Sequence, residues 1–140
     1  MRRRPRATWP LRARTDPRSL MRRQRLAVRA LAYACDERDF SRLVRVLHPD
    51  ATLYVDSGGR VRAPLEPVGG RARIVDMLVR FLDAHPEAVA VECPVNGEPG
   101  IALHTGHDIV GVVTVGLRAE RISRVWLVVN PDKLRAWNAH

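Results

Sequence analysis

Apolar positions recur at helical spacing from Ser19 onward: Leu20, Ala27, Val28, Leu31, Ala34 and Cys35. Such a stripe predicts an amphipathic helix. Asp36-Glu37-Arg38-Asp39 interrupts it and offers an N-cap at either Asp. Phe40, Leu43, Val44 and Leu47 follow at i, i+3, i+4, i+7, a second short helix closed by His48-Pro49-Asp50. The period then changes to two. Leu53 and Val55 alternate with Thr52, Tyr54 and Asp56, which predicts a strand over Ala51–Asp56. Ser57-Gly58-Gly59 reads as a turn and Arg60–Ala63 as a short return strand. After the break at Gly69-Gly70, a third helix is predicted from Arg71 to Ala84, with Ile74, Met77, Leu78, Phe81 and Leu82 on one face and Pro86 as its stop. The remainder reads as strands near Val89–Val95, Gly100–His104, Asp108–Leu117 and Arg121–Val129. Asn96-Gly97 is the clearest turn among them, because both residues tolerate positive φ. A last helical turn, Lys133–Trp137, follows Asn130-Pro131-Asp132.

Helices segregated from antiparallel strands make an α+β domain. The expected architecture is three helices packed on a curved antiparallel sheet, leaving a cone-like pocket at the open end. The expected division is a disordered Arg-rich tail over residues 1–18 and one domain over 19–140. With 140 residues, of which 46% are apolar, the chain is long enough for one core.

Charge changes this picture at one place only. The formal net charge of +9 is accounted for by the first 25 residues, which hold ten Arg and one acid, Asp16. From residue 26 onward bases and acids balance. A basic nucleic-acid-binding domain is therefore not expected; only non-specific attraction through the tail is, with Trp9 its single aromatic for base stacking. Nearly all bases are Arg, a skew that reads as GC-rich bacterial codon usage. Met21 is a candidate for the true start. The longest aliphatic–aromatic run, Val125–Val129, is far short of the ~20 residues that span a bilayer, and no secretory apolar stretch follows the N-terminus. A cytoplasmic protein without membrane association is expected. Cys35 and Cys93 stand alone, so neither a disulfide framework nor a zinc site is indicated, and no cofactor or metal is expected.

Three segments carry a resemblance. Asp56-Ser57-Gly58-Gly59-Arg60 is similar to an Asp-Gly-Gly-Gly-Lys element, Val95-Asn96-Gly97 to a mid-sheet turn, and Asn130-Pro131-Asp132-Lys133-Leu134 to a C-terminal signature. Together they resemble the C-terminal extension of a group of extracytoplasmic-function sigma factors, a SnoaL-like domain of the nuclear transport factor 2-like superfamily. The resemblance covers about Leu26 to Trp137. Ser57 and Arg60 depart from the pattern, and the two sigma domains that bind polymerase and promoter are absent. The resemblance implies a non-catalytic regulatory or small-ligand-binding module. It would be free-standing or a fragment of a longer sigma factor. Its partners would be a sigma factor or RNA polymerase, a hydrophobic small molecule in the pocket, and by analogy a second copy in a homodimer.

The alternative is a SnoaL-like isomerase, cyclase or hydrolase acting on a hydrophobic small molecule. Asp56 is then the general base, its pKa raised by desolvation at a cavity mouth. Against this stands ordinary turn chemistry for an Asp before a glycine pair. Ketosteroid-isomerase-like relatives pair such an acid with a Tyr on the first helix; that position falls near Leu31 here, with Tyr33 on another face. Asn130 to Leu134 reads either as a docking element or as helix-start chemistry, with Asn130 the cap and Pro131 at the first position. Trp126 shares a strand face with Ile122, Arg124, Val128 and Asn130, a pocket wall, a dimer surface or plain core. His104 and His107 read as a polar hairpin tip, His48 and His85 as structural, and Gly69-Gly70-Arg71 as a plain turn.

Overall fold

The computed structural model describes residues 16–59 and 66–138. Helix α1, Pro17–Asp36, starts two residues before the expected domain boundary. Pro17 suits the first helical position, and the Asp16 side chain accepts from the Arg18 N–H at 3.1 Å. The rest of the expected tail lies outside the described residues. Of the two candidate caps for helix α2, Phe40–Val46, Asp39 is the one used: it accepts from the Arg42 N–H at 3.1 Å. Asp36 instead accepts from the Ala90 N–H at 2.6 Å and pins the end of α1 to the sheet.

Strand β1, Leu47–Asp56, begins directly after α2. His48-Pro49-Asp50 therefore belongs to a strand and not to a helix stop. The register between β1 and its neighbour shifts between Leu47 and Thr52, so Pro49 sits where a missing N–H costs no ladder bond. The Asp50 N–H donates to His48 Nδ1 at 3.0 Å. Strand β2, Val68–Gly69, pairs with β1 and was not expected. The Gly70 N–H donates to the Ala51 carbonyl, so the Gly69-Gly70 segment is a turn fastened to β1. The expected return strand Arg60–Ala63 lies outside the described residues. Helix α3, Arg71–Ala84, has the expected bounds.

Strands β3, Val89–Val95, β4, Glu98–Thr105, β5, Asp108–Arg118, and β6, Arg121–Val128, form an antiparallel meander. Helix α4, Pro131–Asn138, is a full two turns rather than one. The strand order is β2-β1-β6-β5-β4-β3, an open six-stranded sheet. Its β1–β6 pairing is parallel, so the sheet is mixed and not wholly antiparallel. Four helices pack on it among the described residues, in an α+β arrangement.

The main core lies between the sheet and helices α1 to α3, with Leu31, Leu43, Leu53, Ile74, Ile101 and Ile122 fully buried. Leu134 of α4 joins a smaller cluster with Val95, Ala102, Ile109 and Val112. Ile122, read from strand parity as a neighbour of Trp126, is instead buried in the main core. A register shift between Gly116 and Leu117 separates the two.

Candidate functional site

A cavity of about 860 Å³ opens where β1, β6 and the start of β5 meet α3 and α4. Leu53 and Val55 of β1, with Leu127 and Val129 of the β6 segment, line one wall; Met77, Leu78 and Phe81 of α3 line another. These are the alternate strand residues and the helix stripe that the hydrophobic pattern turns inward. Helix α4 contributes Pro131, Leu134 and Asn138 at i, i+3, i+7, so one stripe of a short helix faces the cavity. The polar lining groups are already engaged in part. His85 Nδ1 lies 3.0 Å from the Phe81 carbonyl, Arg80 pairs with Asp76 at 3.2 Å, and Asn138 bonds the Ile109 backbone in both directions.

Asp56 does not line this cavity. Alternation along β1 puts it with Thr52 and Tyr54, on the side opposite Leu53 and Val55. There it meets the Asn130–Leu134 segment. Lys133 Nζ donates to Asp56 Oδ2 at 2.5 Å, and Asn130 Nδ2 donates to Asp56 Oδ1 at 3.3 Å. The Gly58 N–H, at 3.2 Å, turns the loop back onto the same carboxylate. The Asp56 pKa is therefore lowered and not raised. The Lys133 hydrogen bond is the main cause, and it outweighs the desolvation that pushes the other way. A carboxylate held charged by a lysine is a poor general base at neutral pH.

Gly58, with φ +66°, closes the corner. A Cβ there would lie 2.5 Å from Asn130 Oδ1, so the loop and the Asn130 amide fit only without a side chain. Ser57, next to it, is buried and its hydroxyl accepts from the Gly59 N–H. Asn130 is the helix cap, as the helix-start reading has it, and it also makes a contact within the fold. Its Oδ1 caps α4 through the Asp132 N–H at 3.0 Å, while its Nδ2 reaches Asp56. Asp132 pairs with Arg135 at 2.7 Å.

The other expected site residues lie apart. Arg60 is outside the described residues. Asn96 and Gly97 form the β3–β4 turn with φ +50° and +82°, three strands away from β1 in the sheet order. Trp126 stacks on Tyr54 across the β1–β6 pairing, centroids 5.8 Å apart, and is 37% exposed, so it is not core. Tyr33 is 51% exposed under the Arg42 guanidinium and offers the cavity no hydroxyl. Sequence reasoning missed Asn138 and the Tyr54 partner. Asn138 gave no signal, because one polar residue at a helix end is unremarkable. Tyr54 was visible only as an alternate strand position. Among the described residues no group of His, Cys, Asp and Glu is placed to hold a metal ion, and no helix is long and apolar enough to cross a membrane.

No family model matches the chain. Its sequence is 30% identical over 115 residues to a protein described as an ECF RNA polymerase sigma factor, SigI, of two Mycobacterium tuberculosis strains. The match takes in 80% of this chain and 38% of the relative, so the chain spans well under half the relative's length. The crystal structure of the Mycobacterium tuberculosis extracytoplasmic function sigma factor SigJ superposes with a TM-score of 0.64 at 23% identity, over 92% of this chain and 48% of that one. A Xanthomonas campestris protein described as a polyketide cyclase gives a TM-score of 0.57 at 17% identity, over 86% of this chain and all of that one. The chain thus shares the α+β fold of these sigma-factor and polyketide-cyclase structures, the fold that the resemblance to SnoaL-like domains implied, and its sequence is similar to that of an extracytoplasmic-function sigma factor.

Proposed function

We propose that the chain is a non-catalytic regulatory module that binds a hydrophobic small molecule and acts on transcription through a sigma factor or RNA polymerase. One observation carries this reading. The Asp56–Gly59 loop and the Asn130–Leu134 segment, both similar to sigma-factor extension motifs, clasp each other beside an apolar cavity. The module works as part of a longer sigma factor or beside one, in the cytosol. Its exposed Tyr54–Trp126 face is available to a second copy in a homodimer, and its basic N-terminal residues to non-specific nucleic-acid contact. The test is co-purification with a sigma factor and with RNA polymerase. Replacing Asp132 and Lys133 together by Ala should weaken the association while the circular dichroism stays unchanged. Association unaffected by the double substitution would remove the segment from the interface.

A second reading is an enzyme of the cyclase, isomerase or hydrolase kind, supported by the apolar cavity and by fold neighbours such as the protein described as a polyketide cyclase. Asp56 is its candidate base, although it points away from the cavity wall and is tied to Lys133. Turnover of a polycyclic ketone that disappears in Asp56→Asn would favour this reading. Turnover that persists would clear Asp56 of the role.

A further inference from the structure

We infer that α4 is a strap over the cavity, through which an uncharged apolar molecule in the cavity and the Asp56–Lys133 corner stabilise each other. This rests on the reading of the cavity as a ligand site. The argument starts from the two stripes of one short helix. Pro131, Leu134 and Asn138 face the cavity, whereas Asn130 and Lys133, also three apart, face Asp56. The corner and the cavity therefore share one rigid element.

An eight-residue helix is not stable alone in water, so its place depends on its anchors. There are three. At the N-terminal end Asn130 and Lys133 hold Asp56. At the C-terminal end the Asn138 amide accepts from the Ile109 N–H at 2.7 Å and donates to the Ile109 carbonyl at 3.2 Å. Between them Leu134 is buried against Ile109 and Val112. The Lys133–Asp56 pair is largely exposed, which makes it a weak link that modest forces shift. The strap thus has two states: docked on all three anchors, or released at its N-terminal end. Only the docked state presents Pro131 and Leu134 to a bound molecule. A ligand touching them binds the docked state better, and linkage requires that it hold the corner assembled.

The lining names the ligand class. Its walls are mainly aliphatic, with Phe81 and the His85 imidazole packed on it as their rings. His85 Nδ1, Arg80 and Asn138 are taken by the Phe81 carbonyl, Asp76 and Ile109 respectively. Arg80 and Asp108 are exposed and opposite in charge. A charged group carried inward would lose water without gaining a buried partner. An uncharged apolar molecule fits these walls.

The test is hydrogen exchange of the full chain with the uncharged fluorophore N-phenyl-1-naphthylamine as probe. Saturating probe should slow exchange of the α4 amides by a factor that grows with probe concentration, and leave the first turn of α1 unchanged. Lys133→Ala should speed α4 exchange up to about fivefold, the reach of an exposed ion pair, and added probe should restore it. Val129→Trp, or Val55→Phe if that variant does not fold, should abolish probe binding by filling the cavity. Probe that is blocked by the filling variant but leaves α4 exchange unaltered would overturn the strap and keep the ligand site. Probe that fails to bind the native chain, or binds the filled variant equally well, would overturn both.

Discussion

Gly58 and Gly59 give a matched pair for testing the corner. Both are left-handed, at φ +66° and +75°. At Gly59 an added Cβ meets nothing within 4 Å. Gly59→Ala should therefore cost only the left-handed backbone term, about 1 kcal/mol. At Gly58 the same methyl lies 2.5, 2.6 and 2.7 Å from Oδ1, Cγ and Nδ2 of Asn130, closer than real contacts allow. The amide must leave. With it go the N-cap bond to the Asp132 N–H, worth about 1 kcal/mol, and the bond to Asp56, worth about 0.5–1.5 kcal/mol. Gly58→Ala should thus destabilise by roughly 2–4 kcal/mol, two to four times the cost at Gly59. The assay is urea unfolding followed by tryptophan fluorescence, with the midpoint shift read at constant slope. Asn130→Gly gives the second arm. In that background the obstructing amide is already gone, so Gly58→Ala should cost no more than Gly59→Ala, a coupling that a double-mutant cycle isolates. Equal costs for the two glycines in the native background would refute the reasoning.

Three further outcomes follow from the same geometry. The Asp56 carboxylate has its folded pKa lowered below 3.8, chiefly by Lys133, so its stabilisation is full above the unfolded value and is lost as pH falls through the folded one. The stability gap between the native chain and Lys133→Ala, measured by urea midpoint, should accordingly hold at neutral pH and close below pH 3.8; a gap that widens in acid contradicts the pairing. Burial pushes the Cys35 thiol up to about 12, with the Asp36 charge adding to the shift. Iodoacetamide at mildly alkaline pH should reach half-buried Cys93 first, and Cys35 only at the rate of unfolding, as mass spectrometry of timed samples would report. Asp36→Ala, which strips the acceptor from the Ala90 N–H, should cost about 1–3 kcal/mol by thermal unfolding, whereas Asn is expected to recover part of that loss.

Local pattern carried the elements well. The bounds of α3 follow from one apolar stripe between Gly70 and Pro86, and β3 from its flanking turns. What local pattern lacked is any mark of distant register. The parallel seam of β1 with β6 joins Leu53 to Val125, seventy-two positions along, and leaves no trace in either strand. The same blindness misplaced His48-Pro49-Asp50. Proline before an acid ordinarily ends a helix, and only the irregular pairing of β1 makes room for it inside a strand. At the site, alternation correctly set Asp56 on the face opposite Leu53 and Val55. It did not say which face the cavity would occupy, because that depends on where α3 and α4 pack. The apolar face took the cavity, and the carboxylate that the enzyme alternative would use as a base is the acceptor of a lysine.

The Asn130–Leu134 segment teaches the sharper lesson. The cap that the sequence offers at Asn130 is only one of the uses its side chain has within the fold. An Asn amide has an acceptor end and a donor end. Its Oδ1 starts α4, and its Nδ2 holds Asp56. The helix it starts then sends Lys133 back to the same carboxylate and Leu134 toward the cavity. Removing Asn130 would therefore loosen the helix start and the corner together. Removing Lys133 would loosen the corner and the docking of α4 on it but leave the cap in place. That difference separates the two uses: α4 helicity should fall in Asn130→Ala and persist in Lys133→Ala, while loop 56–59 exchange should quicken in both.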